Sequence, residues 1–406
     1  MTKCRICESP VEPFMSFGRM PIANGFLRSE DFDKEYFFEL LPAICGECGM
    51  FQIRDQPAPE AMFHENYAFY SSTSVHMARH FARAADAIKQ RYLSEKPFVV
   101  EIGSNDGIML RNFADSGISH LGIEPSANVA EVAKGAGIST ICAFFDEALA
   151  EGIISEQGKA DVVFAANVIC HIPDFPVVAK GVKKLLKPEG VFMFEDPYLG
   201  DMVAKTSYDQ IYDEHVFIFS ATSIRNAVRP HGLELVDVEP QSTHGGSMRY
   251  VIAHEGKRPV SNEVTKLLER EEISGLSNPE TFGEFRRRCE RSRSELMEVL
   301  HRCRDEGKRV IGYAATSKST TVTNYCGVTP DLVECIVDTT PSKQGLFSPG
   351  AHLPVRAYEK SWAPYPDYAL LFAWNHMTEI MEKEQRYTTS GGKWIAYVPN
   401  VRILDS

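Results

Sequence analysis

Two pairs of cysteines near the start of the chain have the spacing of a metal site. Cys4 and Cys7 form one Cys-x-x-Cys pair, and Cys45 and Cys48 form the other. Four thiolates complete the closed tetrahedral shell of a structural zinc site, with no position left open for a substrate. The sequence therefore predicts a zinc ion that supports folding and takes no part in chemistry. Unrelated cysteine pairs, or a zinc ribbon that binds nucleic acid, are the alternatives.

A second group of reactive side chains lies at 209–220, where ionisable residues alternate with aromatic ones. Apolar surroundings and a neighbouring carboxylate are what poise a histidine near neutral pH. His215 could remove a proton from a carbon next to a ketone, Tyr212 could donate to the enolate oxygen, and Glu214 could orient the imidazole or hold a substrate hydroxyl. His171 is a second candidate histidine. On composition alone each of these side chains could equally be structural.

A glycine turn at 101–107 follows a buried strand candidate and has the residues of a cofactor site. It reads Glu-Ile-Gly-Ser-Asn-Asp-Gly and opens onto a helical stretch. It lacks the Gly-x-Gly-x-x-Gly spacing of dinucleotide sites, and Asp106 would repel a pyrophosphate but suits the cationic sulfonium and amino group of S-adenosylmethionine. Glu124 ends the next strand candidate, where a carboxylate can bind ribose hydroxyls, and Asn167 follows another. The turn favours methyl transfer over hydride transfer; an ordinary strand-to-helix turn is the alternative.

Hydrophobic patterning places these residues on an α/β framework. Strand candidates alternate with helical stretches between 98 and 254, which predicts a largely parallel, doubly wound sheet. A charged, helix-prone segment at 262–304 precedes a second alternation of strands and helices. The 406 residues exceed what one hydrophobic core usually supports. We expect a zinc-binding module at 1–60, a central domain at 61–258 and a C-terminal α/β domain at 259–406.

The charge balance restricts the class of partner. A formal net charge of -12 argues against a broad nucleic-acid-binding face or attraction to anionic membranes, and favours small-molecule chemistry. No run of about 18 apolar residues is present, and the first residues lack the features of a signal peptide. We therefore expect a cytoplasmic protein with no membrane partner. No heptad pattern indicates an oligomeric state.

Taken in order, the motifs of the chain resemble those of sugar C-methyltransferases, which methylate carbon 3 of nucleotide-linked 4-keto-deoxyhexoses. The resemblance covers nearly the whole chain. It rests on the paired cysteine motifs and the 101–107 turn, followed by Gly-Ile-Glu-Pro-Ser-Ala-Asn-Val-Ala at 122–130, Tyr-Asp-Glu-His at 212–215, His-Gly-Gly-Ser-Met-Arg at 244–249 and Asp-Thr-Thr-Pro-Ser-Lys-Gln-Gly at 338–345. The set in this order is far more specific than any one motif.

The resemblance implies a zinc domain, a central class I Rossmann-like methyltransferase domain, and a C-terminal Rossmann-like domain that helps to hold the nucleotide sugar. The metal ligands are the four cysteines above. The residues around the reacting sugar are His215, Tyr212, Glu214 and His171. Those that contact S-adenosylmethionine are Glu101, Gly103, Asn105, Asp106, Gly107, Glu124, Asn167 and Tyr70. Those expected to bind the rest of the substrate are Lys318, Ser317 and Arg249.

Two segments depart from the family pattern. The family commonly reads Tyr-His-Glu-His where this chain has Asp213, and its Ala-Pro-Ala-Lys-Gly-Asn-Thr loop stands here as Ala-Thr-Ser-Lys-Ser-Thr-Thr at 315–321. The second change keeps Lys318, a candidate phosphate ligand at a helix N-terminus. The sugar and the nucleotide base are therefore not predicted. The rival interpretations are an O- or N-methyltransferase acting on a similar sugar, a nicotinamide-dependent nucleotide-sugar oxidoreductase, and a zinc-bearing binding protein without catalysis.

Overall fold

The N-terminal module consists of short strands joined by turns. A computed structural model describes residues 2–58, 71, 75–358, 362 and 364–404. The strands of the module are β1 (Thr2–Lys3), β2 (Pro10–Val11), β3 (Arg19–Pro21), β4 (Phe37–Glu39), β5 (Pro42–Ile44) and β6 (Phe51–Ile53), with a 3-10 turn at Ser29–Lys34. The pairs β1–β2, β3–β4 and β5–β6 are antiparallel. Strands this short need further support to be stable.

The central domain is a doubly wound sheet. Its strands are β7 (Phe98–Ile102), β8 (Ser119–Ile123), β9 (Thr140–Ile141), β10 (Ala160–Ala166), β11 (Leu186–Pro197), β12 (Phe217–Ile218), β13 (Leu233–Gln241) and β14 (Ser247–His254). Its helices are α1 (Val75–Arg91), α2 (Arg111–Ala114), α3 (Ala127–Gly135), α4 (Glu147–Gln157), α5 (Phe175–Leu185), α6 (Leu199–Lys205) and α7 (Ala221–Val228). Short 3-10 turns lie at Ile169–His171, Tyr208–Gln210, Arg229–His231 and Thr243–Gly245.

Within the described residues, seven strands of this domain form one sheet in the order β13-β14-β11-β10-β7-β8-β9. Neighbours from β11 to β9 are parallel, and β14 runs antiparallel to β11 and β13. Strand β7 is buried along its whole length; Val100 packs into the core on one face and Val99 into the core on the other. The predicted doubly wound sheet is confirmed.

Strand β12 of the central domain is not part of the seven-stranded sheet. It pairs with strands of the N-terminal module instead. Phe217 pairs with Gln52 and Ile218 with Phe51, in the order β12-β6-β5. The Ile53 N–H also donates to the Val216 carbonyl at 2.9 Å. The candidate catalytic segment therefore ends in a strand that belongs to the N-terminal module.

The C-terminal region begins with α8 (Asn262–Ile273) and α9 (Pro279–Asp305), so the predicted helical segment is two helices, separated at Gly275 and by Pro279 at the start of α9. The elements that follow are β15 (Val310–Tyr313), α10 (Ser317–Cys326), β16 (Ile336–Asp338), β17 (Val355–Ala357), β18 (Tyr368–Leu371), a 3-10 turn (Trp374–His376), α11 (Met377–Lys383), α12 (Gln385–Thr389), β19 (Lys393–Ala396) and β20 (Arg402–Leu404). The sheet order is β17-β16-β15-β18-β19-β20, with only β20 antiparallel among these described strands.

Two predicted elements are shorter than expected. The helix expected from Ile108 is limited to α2, because the residues before it form successive turns. The apolar run at 332–338 is one of the strand candidates in the second alternation, but the strand begins only at Ile336, because the N–H groups of Leu332 and Val333 both donate to the Thr329 carbonyl. Among the described helices, none combines the length and apolarity needed to cross a bilayer.

The helix that follows the candidate catalytic segment is capped by a distant carboxylate. Glu271 of α8 accepts hydrogen bonds from the Ala221 and Thr222 N–H groups, both at 2.8 Å, and from Tyr198 Oη at 3.0 Å. We expect Glu271→Gln to lower the free energy of unfolding by about 1–3 kcal/mol, because an amide NH₂ would face an N–H donor. Chemical denaturation measures this. The adjacent exposed Glu272→Gln is the matched control, and equal midpoints for the two variants would contradict the capping role.

Candidate active site and zinc site

The two cysteine pairs meet at one point. Cys4 and Cys7 lie in the β1–β2 turn, and Cys45 and Cys48 lie in the β5–β6 turn. The Sγ atoms of Cys4 and Cys48 are 3.6 Å apart, those of Cys7 and Cys45 are 3.5 Å apart, and all four lie within 4.8 Å of one another. Zinc–sulfur bonds of about 2.3 Å at tetrahedral angles require about 3.8 Å between sulfurs. The four thiols therefore fit a closed structural zinc site.

A loop of the same module holds the candidate catalytic segment from outside. The Ala23 N–H donates to Asp213 Oδ1 at 2.9 Å, and Asn24 Nδ2 donates to Glu214 Oε1 at 2.7 Å. Burial, and then the neighbouring Glu214 carboxylate, raises the pKa of Asp213 to about 8. The residue that departs from the family pattern is thus an anchor for the N-terminal module.

The glycine turn after β7 forms the wall of a crevice. Gly103 and Gly107 have φ angles of 68° and 80°, a region that suits glycine. A Cβ atom at Gly103 would lie 2.3 Å from Val168, and one at Gly107 would lie 2.7 Å from Ile138. The crevice opens between the carboxyl ends of β7 and β10, where the chain order of the sheet reverses, which is the usual ligand position in such sheets.

Buried carboxylates line this crevice. Glu124 accepts the Asn105 N–H at 3.0 Å and the Ser126 N–H at 2.8 Å, so its orientation is fixed. Glu101 is buried, and its Oε2 has no hydrogen-bond partner among the described residues; burial, and then the nearby Glu124, raises its pKa well above the usual range. Asp106 is also buried. Acidic oxygens beside a glycine cradle fit the cationic S-adenosylmethionine.

Of the two remaining predicted cofactor residues, the structure describes Asn167. Asn167 follows β10 with a φ of 55°, and its N–H donates to the Glu195 carbonyl at 2.7 Å. Tyr70 lies outside the described residues. The Ser71 N–H donates to Asn105 Oδ1 at 3.0 Å, so Ser71 itself lies at the 101–107 turn. These roles remain predictions.

Hydrogen bonds fix the protonation of His215. Its Nδ1 lies 2.7 Å from the Gln210 carbonyl, which can only accept, so Nδ1 carries the proton. The Tyr212 hydroxyl lies 2.8 Å from Nε2 and donates to its lone pair. Burial, and then the neighbouring His171, lowers the pKa of His215 well below its usual value. At neutral pH the ring is therefore neutral, with Nε2 in the basic form.

Two more histidines and a lysine surround this ring. His171 and His215 stack with centroids 5.3 Å apart. Burial, and then His244, lowers the pKa of His171 to about 3; burial, and then Lys318, lowers that of His244 to about 3. Burial also lowers the pKa of Lys318. At neutral pH the three imidazoles are uncharged, so the positive charge of this cluster lies on Lys318.

Lys318 reaches this cluster from a second crevice. It lies in the first turn of α10, after β15, and its Nζ donates to Asn375 Oδ1 at 3.1 Å across the point where the C-terminal sheet changes direction. The ammonium also lies 4.8 Å from the Trp374 ring centroid. Trp374 Nε1 and the Tyr397 hydroxyl both donate to the buried Asp209, at 2.6 and 2.7 Å. Asp209 thus ties the catalytic segment to the C-terminal domain.

The other two predicted substrate residues lie in different surroundings. The guanidinium of Arg249 is buried and donates to Glu195 at 2.7 Å and to Glu239 at 2.6 Å; Glu195 also pairs with His80 at 2.6 Å. The Arg249 guanidinium therefore donates its hydrogen bonds to carboxylates on neighbouring strands of the central sheet. Ser317 is half-buried at the start of α10. Their proposed contact with substrate remains a prediction.

Sequence reasoning missed several members of the site. They are Asn24, Asp209, His244 and Trp374. His244 was visible within the 244–249 motif, but its burial beside Lys318 was not. Asp209 lies in the 209–220 segment, but its contacts with Trp374 and Tyr397 could not be predicted. Asn24 and Trp374 come from separate parts of the chain, and no local spacing connects them with Tyr212–His215.

Removal of zinc should loosen the catalytic segment. Without the four-thiolate site the β5–β6 hairpin loses its support, and β12 loses its partner. We expect faster amide exchange at Phe217–Ile218 after chelation, measured by hydrogen–deuterium exchange mass spectrometry. Strand β18 in the C-terminal sheet is the internal control and should exchange at an unchanged rate. Unchanged exchange at both strands would contradict the link.

The histidines of this cluster should resist protonation. With folded pKa values of about 3, His171 and His244 stay neutral at pH 5, whereas an unfolded histidine titrates near 6.5. The unfolded state then binds more protons between these values, so these two groups lower stability as the pH falls through that window. NMR of ring-labelled histidines, assigned with His→Asn variants, measures the titration. A midpoint near 6.5 for either ring would contradict the burial.

Known protein families match all three parts of the chain. A profile described as a zinc binding domain matches residues 4–63, one described as a methyltransferase domain matches 76–238, and one described as a C-methyltransferase C-terminal domain matches 242–399. C-methyltransferase NovU from Streptomyces niveus is 33% identical over 408 residues, which cover 100% of this chain and 97% of that protein. Sterol 4-C-methyltransferase strm-1 from Caenorhabditis elegans is 28% identical over 127 residues, covering 30% of this chain and 36% of that protein.

Solved structures resemble part of the chain. The CcbJ methyltransferase from Streptomyces caelestis matches with a TM-score of 0.34 and 15% identity, covering 43% of this chain and 90% of that chain. Magnesium protoporphyrin IX methyltransferase from Synechocystis, with bound SAH, matches with a TM-score of 0.35 and 15% identity, covering 45% of this chain and 84% of that chain.

The full-length relative and the three profiles agree with the order of modules in the structure. The crevice with its glycine turn and acidic oxygens fits S-adenosylmethionine, and the four thiols fit zinc. The chain therefore belongs to the S-adenosylmethionine-dependent C-methyltransferases that carry an N-terminal zinc-binding domain.

Proposed function

We propose that this enzyme methylates the carbon next to the ketone, at C-3, of a nucleotide-linked 4-keto-6-deoxyhexose, with His215 as the base. The observation that carries the proposal is the Tyr212–His215 pair. A neutral, buried imidazole presents a basic Nε2 directly beside a hydroxyl donor. An acidified C–H next to a carbonyl requires this combination of base and donor.

S-adenosylmethionine supplies a methyl group on a sulfonium. Nε2 of His215 takes the C-3 proton, and the electron pair of that C–H bond forms the enolate. The cofactor, held by the 101–107 turn and Glu124, would supply the methyl group to that carbon and keep the sulfur as a neutral thioether. The Gln210 carbonyl stabilises the imidazolium through the Nδ1 proton. Because Tyr212 donates to Nε2 in this structure, its hydroxyl must turn to the substrate oxygen before proton transfer.

The ammonium of Lys318 faces the same cluster. It is the first-turn cation of α10, and its burial strengthens any interaction with an anion. We assign it to a phosphate of the nucleotide, in line with the family resemblance. Glu214, held by Asn24, is assigned to a sugar hydroxyl.

The altered 319–321 segment is assigned to protein contacts rather than to substrate. Ser319 forms a capping box with Thr316 at the start of α10. The Thr320 hydroxyl donates to the Ala23 carbonyl at 2.8 Å, and the Thr321 hydroxyl donates to the Ile211 carbonyl at 3.1 Å. Residues 319–321 therefore do not select the substrate in this proposal. Of the altered loop, Lys318 is the residue that we assign to substrate binding.

The test uses His215→Asn with a panel of nucleotide 4-keto-6-deoxyhexoses and S-adenosylmethionine in deuterated water. We expect the wild type to yield a carbon-bound methyl group, identified by NMR, and the variant to lose at least about 100-fold in turnover while cofactor affinity is unchanged. Tyr212→Phe keeps the base but loses the enolate donor, so it should also slow turnover.

Two results would overturn the proposal. Unchanged turnover in His215→Asn would remove His215 as the base. A methyl group on oxygen or nitrogen would assign the enzyme to a different acceptor chemistry. Wild-type deuterium uptake next to the ketone without cofactor would support the enolisation step.

A further inference from the structure

A buried cysteine lies beside the catalytic histidines and has no part in the proposed reaction. Cys170 immediately precedes His171 in the 3-10 turn after β10. Its Sγ and one ring nitrogen each of His171 and His215 lie within 4.8 Å of one another. The Cys170 N–H donates to Asp196 Oδ2 at 3.2 Å, which fixes the backbone of the turn. Three metal-ligand side chains therefore converge at the bottom of the active site.

The donor set is that of a transition-metal site. One thiolate and two imidazoles suit Zn²⁺ or Co²⁺, whereas Mg²⁺ and Ca²⁺ require oxygen ligands. Three protein ligands leave a fourth position for water. The Tyr212 hydroxyl, which donates to His215 Nε2 at 2.8 Å, must turn away when a metal binds that nitrogen. Both imidazoles are already neutral, which is the form that binds metals. Only the thiol must release a proton, which passes to solvent when the metal–sulfur bond forms.

We propose that Cys170, His171 and His215 form a second divalent-metal site, selective for Zn²⁺ and Co²⁺ over Mg²⁺, and that an ion bound there blocks methyl transfer. Since Nδ1 of His215 is bound to Gln210, the metal takes the Nε2 lone pair. That lone pair is the one that must accept the substrate proton. The blocking effect rests on the proposed role of His215, whereas metal binding itself does not.

The binding experiment is a Co²⁺ titration of the full chain after its four-cysteine site has been filled with zinc, which is spectroscopically silent. We expect one further equivalent of Co²⁺ to bind, with a thiolate-to-cobalt charge-transfer band and the visible bands of four-coordinate cobalt. The charge-transfer band should be lost in Cys170→Ser, or in Cys170→Ala should the first variant fold poorly. Cys142→Ser, at an exposed thiol, is the control and should bind as the wild type does.

The activity experiment measures turnover against added Zn²⁺ beyond the first equivalent. Cys170→Ser should keep the turnover of the wild type and require at least about tenfold more Zn²⁺ for half-inhibition, because a ligand is lost. Absence of the second cobalt equivalent, or a charge-transfer band retained in Cys170→Ser, would overturn the site and leave the base assignment untouched. Cobalt binding without inhibition would overturn the blocking effect and also count against His215 as the base.

Discussion

The position of the catalytic segment depends on a two-residue strand pairing. Residues 208–216 form a 3-10 turn and loops, with no longer helix or strand among them. They are held in place because Phe217 and Ile218 pair with β6, and because Ala23 and Asn24 bind the adjacent carboxylates. All of these partners belong to the module closed by the four thiols. The module closed by the four thiols therefore helps to position the candidate base, His215.

The central sheet and the C-terminal sheet both direct the carboxyl ends of their parallel strands toward the segment with Tyr212 and His215. The crevice of the central sheet carries the glycine turn and Asn167, and the crevice of the C-terminal sheet carries Lys318 and Asn375. Each opens where the chain order of its sheet reverses. The segment with Tyr212 and His215 lies between them, tied to one side by Asp209. This arrangement brings the glycine turn, the proposed base His215 and the proposed phosphate ligand Lys318 together from different parts of the chain.

Local patterns were enough to predict most of the framework. Most strands of both sheets follow from buried apolar runs, and the glycine turn follows from its position after β7. The short strands β9, β17 and β20 were not predicted, because runs of two or three residues carry no clear pattern. Pairing between distant segments could not be predicted, because nothing in the residues near Phe217 indicates β6 as its partner rather than the central sheet. The same applies to Asn24, Asp209 and Trp374, whose partners lie more than 150 residues away. Helix α2 and strand β16 are shorter than predicted because backbone turns precede them, and the hydrophobic pattern of the sequence does not reveal such turns.

The shared sheet has a consequence for synthesis of the chain. All four zinc ligands precede β12 in the order of synthesis, so the metal can bind before that strand emerges. Strand β6, however, has one edge that is covered only when β12 emerges, more than 160 positions later. An uncovered edge strand is open to pairing with another chain. During synthesis the N-terminal module can therefore bind metal before its sheet is complete. A fragment that ends at the apparent boundary of this module would expose the edge of β6, which β12 covers in the whole protein, and would be prone to aggregate.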